Sequence, residues 1–87
     1  MTDTRVLLAV DAGTSSIKTV AFALDGTEVA AATRETTTLR PAPGHVEQEM
    51  VSAWQQTAAA LREVAAALPE RAEPLGVSVT GQGDGLW

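Results

Sequence analysis

The feature that most restricts the fold of this chain is an apolar run followed by an aspartate and by a loop of glycine, threonine and serine residues. Residues 6–10 are all apolar, Asp11 follows them, and the loop with Gly13, Thr14 and Ser15 leads into a second run of β-forming residues. A carboxylate at a strand end can hold a hydrated cation, and glycine lets the backbone approach a phosphate. The pattern predicts a phosphate-binding hairpin. The same residue types also form ordinary hairpin turns, so both interpretations stay open for the loop alone.

The residues on either side of this loop are typical of a small sheet. Residues 6–10 favour a central strand covered on both faces, because they are continuously apolar. Residues 17–24 and 27–35 are the predicted second and third strands. The pair Asp25 and Gly26 between them predicts a hairpin with a two-residue turn, a geometry that needs positive φ.

A helix is predicted after a proline-rich and glycine-containing loop at residues 40–44. It runs from near Glu49 to Leu68, because Pro69 disfavours helical geometry in the residue before it. Helical spacing places one apolar stripe on a single face, formed by Trp54, Ala58, Leu61, Ala65 and Leu68. We expect this stripe to pack on the sheet with Trp54 in the core, while packing of the alanine-rich remainder against a partner helix is the alternative.

A short apolar segment after the helix, residues 75–79, predicts a buried final strand. The resulting order is β-β-β-α-β, which is an α/β fold with a helical crossover. Such crossovers are right-handed and join parallel strands, so we expect the last strand to lie beside residues 6–10. Asp11 and the loop with Gln82 and Asp84 would then leave the sheet at one edge, where open α/β sheets bind ligands.

Charge and composition exclude several classes of function. The chain of 87 residues has room for one domain at most, and its eleven acidic residues against six Lys and Arg offer no basic face for a nucleic acid. It has no cysteine, which rules out a disulfide framework and agrees with a reducing cytoplasm. No apolar run approaches the length that spans a membrane, and no targeting segment is evident. We therefore expect a cytoplasmic location.

Three motifs resemble a known family. Residues 11–18, DAGTSSIK, are similar to the first phosphate loop of the superfamily of sugar kinases, heat-shock ATPases and actin, whose ribonuclease H-like domains begin with a β-β-β-α-β unit. Residues 43–48, PGHVEQ, and residues 81–85, GQGDG, resemble the FGGY family of carbohydrate kinases. The resemblance covers essentially the whole chain. It implies that residues 1–87 are the first part of that family's N-terminal domain.

The resemblance implies an ATP-dependent kinase that phosphorylates a hydroxyl of a small sugar or sugar alcohol. In that family the first aspartate helps to hold the magnesium of MgATP, and this role falls on Asp11, acting through water. The nucleotide phosphates would be bound by Gly13, Thr14, Ser15 and Lys18. ATP and Mg²⁺ are the cofactors expected on this basis.

The resemblance assigns substrate binding to the loop after the final strand, that is, to Gln82, Gly83 and Asp84. Glycerol kinases carry an arginine and a glutamate where this chain has Gly83 and Asp84, and xylulokinases carry a methionine and a histidine. Asp84 would accept hydrogen bonds from a polyol or ketose. The glycine and aspartate pair is most similar to the erythritol-kinase-like branch, with a xylulokinase-like branch as the alternative.

The family's general base and its adenosine-binding segments are expected beyond Trp87, so the chain is predicted to be a fragment without kinase activity of its own. The expected partner is a small sugar or polyol, with no nucleic acid or membrane, and a homo-oligomer remains open. The alternative function is a non-catalytic nucleotide-dependent switch or scaffold of the same superfamily. Gln82 and Asp84 favour the kinase, because they have no evident purpose in a pure switch. A small α/β scaffold with tight turns is the third interpretation.

Overall fold

The computed structural model describes residues 4–81 and residue 83, and it arranges them as a four-stranded sheet, a small hairpin and one helix. The elements are β1 (Arg5–Ala12), β2 (Ser16–Ala23), β3 (Glu28–Glu35), β4 (Thr38–Leu39), β5 (Glu47–Gln48), α1 (Met50–Ala67) and β6 (Glu73–Gly81). The sheet has the order β3-β2-β1-β6. The predicted β-β-β-α-β order is therefore confirmed, with the β4–β5 hairpin as an addition.

Strand β6 lies parallel to β1, as the crossover argument predicted, while β1–β2 and β2–β3 are antiparallel. The strand β1 is central, also as predicted. The expectation that β6 is buried is wrong for the described part of the chain, since Val77 is 53% and Val79 72% exposed. The physical reason is that α1 packs mainly on β2 and β3, so its cover ends before it reaches β6. The strand β1 is not covered on both faces either, since Leu7, which lies on the face of the sheet opposite α1, is 45% exposed.

The turn between β2 and β3 is one residue longer than the predicted two-residue turn. The Ala23 N–H donates to the Thr27 carbonyl at 2.8 Å, so residues 24–26 form the connection. Gly26 alone supplies the positive φ, at 91°, which is the arrangement of a three-residue hairpin loop. The Asp25 carboxylate accepts from the Thr27 N–H at 2.9 Å, and this hydrogen bond lowers the pKa of Asp25.

The predicted bounds of the helix are confirmed at both ends. Glu49 is the N-cap, and its carboxylate accepts from the N–H groups of Val51, at 3.0 Å, and Ser52. Capping of this kind satisfies amide groups that have no partner inside the helix. Leu68 is the C-cap, directly before Pro69. Among the residues that the structure describes, no helix has the apolar length needed to cross a membrane.

Small side chains form most of the contact between the helix and the sheet. Of the predicted stripe, Leu68 packs against this core as expected, whereas the fully buried helix positions are different ones. The buried helix positions are Ala60 and Val64, each one residue before the predicted Leu61 and Ala65. They belong to a core cluster completed by Ala21 and Ala32 of the sheet. Alanines on both surfaces let the helix lie close to the strands. Trp54 is 66% exposed, so its predicted place in the core is wrong, whereas packing of the helix on its own sheet is confirmed.

Thr19 is a weak point of this core. Its side chain in β2 is completely buried, and its hydroxyl has no hydrogen-bond partner among the described residues. An unpaired buried hydroxyl carries a desolvation cost that an apolar side chain of the same shape avoids. We expect Thr19→Val to increase the free energy of unfolding by about 1 kcal/mol, measured by chemical denaturation.

The matched control for Thr19 is Thr33→Val on the neighbouring strand β3, where the threonine is exposed. This change should alter the free energy of unfolding by less than about 0.5 kcal/mol. A loss of stability in Thr19→Val would show that the hydroxyl has a partner in the folded protein.

Candidate functional site

The candidate site lies at the sheet edge where β1 and β6 both end. Asp11 is paired in register with Thr80, and Ala12 with Gly81. Because these strands are parallel, the loops that follow them leave the same edge. The predicted positions of the two strands are thus confirmed.

Of the three residues predicted to bind the substrate, the structure describes one, Gly83. Gly83 is exposed, and a Cβ atom built on it would meet no described atom within 4 Å. Gln82 and Asp84 lie outside the described residues. Their assignment to a sugar stays a prediction.

A row of polar side chains crosses the sheet beside this edge. Asp11 lies directly opposite Lys18 on β2, and both residues are exposed. Side chains alternate between the two faces of a strand, and the adjacent residue Thr19 faces the helix, so Asp11 and Lys18 lie on the opposite face. Register adds Thr80 next to Asp11 and Thr33 next to Lys18. Neither threonine was predicted from the sequence, although the parallel crossover gave a signal for Thr80 at the end of the final strand.

The loop between β1 and β2 turns tightly at Gly13. Its N–H donates to the Ser16 carbonyl at 2.9 Å, and a Cβ atom at Gly13 would lie 2.9 Å from the same oxygen. Such a contact is closer than real Cβ atoms tolerate. The glycine is therefore required by the turn of the chain itself, in addition to any approach of a phosphate.

Thr36, which follows β3, binds the far side of this loop. Its hydroxyl donates to the Thr14 carbonyl at 2.7 Å, and its N–H donates to the Ser15 carbonyl at 3.2 Å. Thr38 adds a longer hydrogen bond from its hydroxyl to the Thr14 carbonyl, at 3.4 Å. The loop carbonyls thus point toward the segment that leads into the β4–β5 hairpin.

Gln48, at the end of β5, shares one of these carbonyl partners and adds a second. Its Nε2 atom donates to the carbonyls of Gly13 and Thr14, both at 3.3 Å. Gln48 belongs to the motif at residues 43–48, but its role was not predicted from the sequence. A contact between residues 34 or 35 positions apart leaves no periodic signal in the sequence.

The other polar groups of the loop are available to a ligand. In the range 4–81, no hydrogen bond is donated by the amide or hydroxyl groups of Thr14 and Ser15, and both residues are exposed. Four donors therefore lie together next to Asp11 and Lys18. Such an arrangement suits the oxygen atoms of a phosphate group.

The carboxylate of Asp11 suits a metal ion that binds together with a phosphate ligand. Within the described part of the chain, no group of three or more His, Cys, Asp or Glu side chains could hold a metal ion. Mg²⁺ needs fewer protein ligands, because it retains waters and is commonly bound by one or two carboxylates together with substrate phosphates. Asp11 fits this role.

Comparison with known proteins supports a family assignment. Residues 6–87 match the FGGY family of carbohydrate kinases, N-terminal domain. The chain is 40% identical to an erythritol kinase of Brucella abortus over 83 residues, which is 94% of this chain and 16% of that protein. It is 43% identical to a glycerol kinase of Albidiferax ferrireducens over 60 residues, 69% of this chain and 12% of that protein.

A solved structure shows the same arrangement of strands and helix. The chain superimposes on xylulose kinase from Rhodospirillum rubrum with a TM-score of 0.87 and 33% identity, covering 92% of this chain and 17% of the other. The chain therefore spans about one sixth of the length of the erythritol kinase and the xylulose kinase. The match over residues 6–87, together with the shared fold, shows that this chain belongs to the FGGY family of carbohydrate kinases.

Proposed function

We propose that the protein containing this chain transfers the γ-phosphoryl group of MgATP to a hydroxyl of a small sugar or sugar alcohol. The observation that carries the proposal is the loop after β1, next to Asp11 and Lys18, where the amide and hydroxyl groups of Thr14 and Ser15 donate no hydrogen bond within residues 4–81. Phosphoryl transfer depends mainly on positioning and on neutralising charge. Membership of a family of carbohydrate kinases supports the same reaction.

Each residue of the loop has a distinct task in this proposal. The amides and hydroxyls of Thr14 and Ser15 bind phosphate oxygens, and Gly13 lets the chain turn tightly enough to present them. The Lys18 ammonium group lies opposite Asp11 and offsets the negative charge of the phosphates. Asp11 holds Mg²⁺ through water. When bound, the metal ion neutralises charge that develops on the phosphate oxygens.

Substrate binding is proposed for the segment after β6. Gln82 and Asp84 supply polar groups that suit a polyhydroxyl compound, and Gly83 between them carries no side chain. The parallel pairing of β1 with β6 supports this assignment, because it brings the start of the segment to the edge where the phosphate loop begins. A linear polyol such as erythritol or glycerol is the substrate class that the similar kinases suggest.

A direct assay of the full-length protein tests the function. The purified protein is incubated with MgATP and single acceptors, including erythritol, glycerol, xylulose and gluconate, and the phosphorylated product is identified by mass. We expect ADP and one sugar or polyol monophosphate in equal amounts. Binding of MgATP without phosphorylation of any acceptor would favour the switch or scaffold, and absence of nucleotide binding would overturn the proposal.

A further inference from the structure

The phosphate loop is held from behind by three side chains of the segment between β3 and α1. We call Thr36, Thr38 and Gln48 the carbonyl clamp, since each donates a hydrogen bond to the Thr14 carbonyl. We propose that the clamp is a positioning device for nucleotide binding, which directs the loop amides toward the phosphates of MgATP. This inference rests on the proposed function.

The geometry of the peptide bond links the clamped carbonyls to the amides of the loop. A trans peptide unit is planar, and its carbonyl and N–H groups point in opposite directions. The Gly13 carbonyl shares a peptide unit with the Thr14 N–H, and the Thr14 carbonyl shares one with the Ser15 N–H. When the clamp binds these two carbonyls on one side of the loop, both N–H groups must point away from the clamp.

The strengths of the contacts differ along the clamp. The bond from the Thr36 hydroxyl, at 2.7 Å, has the ideal length for a hydroxyl donor, whereas the two bonds from Gln48 measure 3.3 Å and the bond from Thr38 measures 3.4 Å. Gln48 compensates by binding two carbonyls at once. Thr36 and Gln48 are therefore the principal members.

Neighbouring structure fixes the clamp. Gln48 is paired in register with Thr38 in the β4–β5 hairpin, and Glu49, the next residue, caps α1. Thr36 also donates its N–H to the Ser15 carbonyl at 3.2 Å. The hairpin thereby connects the phosphate loop to the first turn of the helix. A preformed loop binds its ligand more tightly, because it loses less conformational freedom on binding.

Variants of Thr36 and Gln48 in the full-length protein test the clamp. Thr36→Val removes the hydroxyl with little change of shape, and Gln48→Leu removes the amide donor. We expect each to raise KM for MgATP by about threefold to tenfold. The KM for the sugar or polyol should change by less than about twofold, because the hydrogen bonds that define the clamp are made to the phosphate loop.

Two further variants separate positioning from general stability. Thr36→Ser keeps the hydroxyl, so it should retain the parent KM for MgATP within about twofold. Thr37→Val is the matched control, since Thr37 is exposed and makes no hydrogen bond in the described range. The proposal would be overturned if Thr36→Val and Gln48→Leu lowered the melting temperature but left KM for MgATP unchanged. It would also be overturned if they raised KM for MgATP and KM for the sugar or polyol equally.

Hydrogen exchange provides a readout that does not depend on kinase activity. The Gly13 N–H donates a hydrogen bond within the loop, to the Ser16 carbonyl, and the Thr36 N–H donates one from the clamp to the Ser15 carbonyl of the loop. They should exchange faster with solvent in Gln48→Leu than in the parent, while the amides of α1 are unaffected. If the parent protein phosphorylates no acceptor, the proposed function fails. In that case, hydrogen exchange of the loop amides and titration with MgADP still test the clamp. The clamp would be refuted if Gln48→Leu changed neither the exchange rates of these amides nor the affinity for MgADP.

Discussion

Replacing Asp11 with Asn in the full-length protein should lower kcat/KM for MgATP by about 100-fold with every sugar acceptor. The substitution preserves the size of the side chain and removes the charge proposed to hold the hydrated metal ion. It also leaves Lys18, which lies directly opposite, without its acidic neighbour. The preference among sugars should not change, because Asp11 is assigned to the nucleotide. Steady-state kinetics over a range of magnesium concentrations measure the effect.

Asp25→Asn is the matched control for this experiment. Asp25 is also an exposed aspartate, but it lies in the turn between β2 and β3, at the other end of the sheet from Asp11. An asparagine there retains an oxygen that accepts from the Thr27 N–H, so the variant should keep the parent activity. Equal activity of Asp11→Asn and the parent protein at all magnesium concentrations would remove Asp11 from the site.

The backbone arrangement of this chain could be predicted from local signals. The apolar run before Asp11 gave the central strand, and Pro69 gave the end of the helix. The rule that a helical crossover joins parallel strands then placed β6 parallel to β1. These features follow from residues that are close in sequence or from a general rule of topology.

The buried face of the helix could not be predicted in the same way. The large apolar side chains of the helix suggested a stripe through Trp54, whereas the sheet is contacted by Ala60 and Val64. Several stripes of an alanine-rich helix have similar apolar character, and the choice among them depends on the partner surface. Here that surface is lined by the small side chains of Ala21 and Ala32, which favour a close approach.

The loop between β1 and β2 could be predicted as a candidate site, but the hydrogen bonds that hold it in place could not. Asp11 and Gly13 were visible because of their position after an apolar strand. The contacts of Thr36 and Gln48 with the loop join residues 22 to 35 positions apart. A hydrogen bond of this kind becomes apparent only when the tertiary structure brings the hairpin to the loop.

The second large effect on activity is expected from substitution of Asp84, which lies three residues after the end of β6. It is assigned to the hydroxyl groups of the substrate, because it is the carboxylate of a glycine-flanked segment that begins at the ligand-binding edge of the sheet. A hydrogen bond between a charged group and a hydroxyl contributes about 1.5–3 kcal/mol. Asp84→Ala in the full-length protein should therefore lower kcat/KM for the sugar or polyol by about 10-fold to 150-fold.

The competing explanation for Asp84 is that its carboxylate only stabilises a turn. This explanation predicts a lower melting temperature without a selective change in the kinetics of the sugar. Glu70→Ala, which removes an exposed carboxylate next to Pro69, provides the control for loss of charge alone. If Asp84 binds the substrate, kcat/KM for the sugar falls while KM for MgATP stays nearly constant. A lower melting temperature with unchanged sugar kinetics would instead assign Asp84 to the turn.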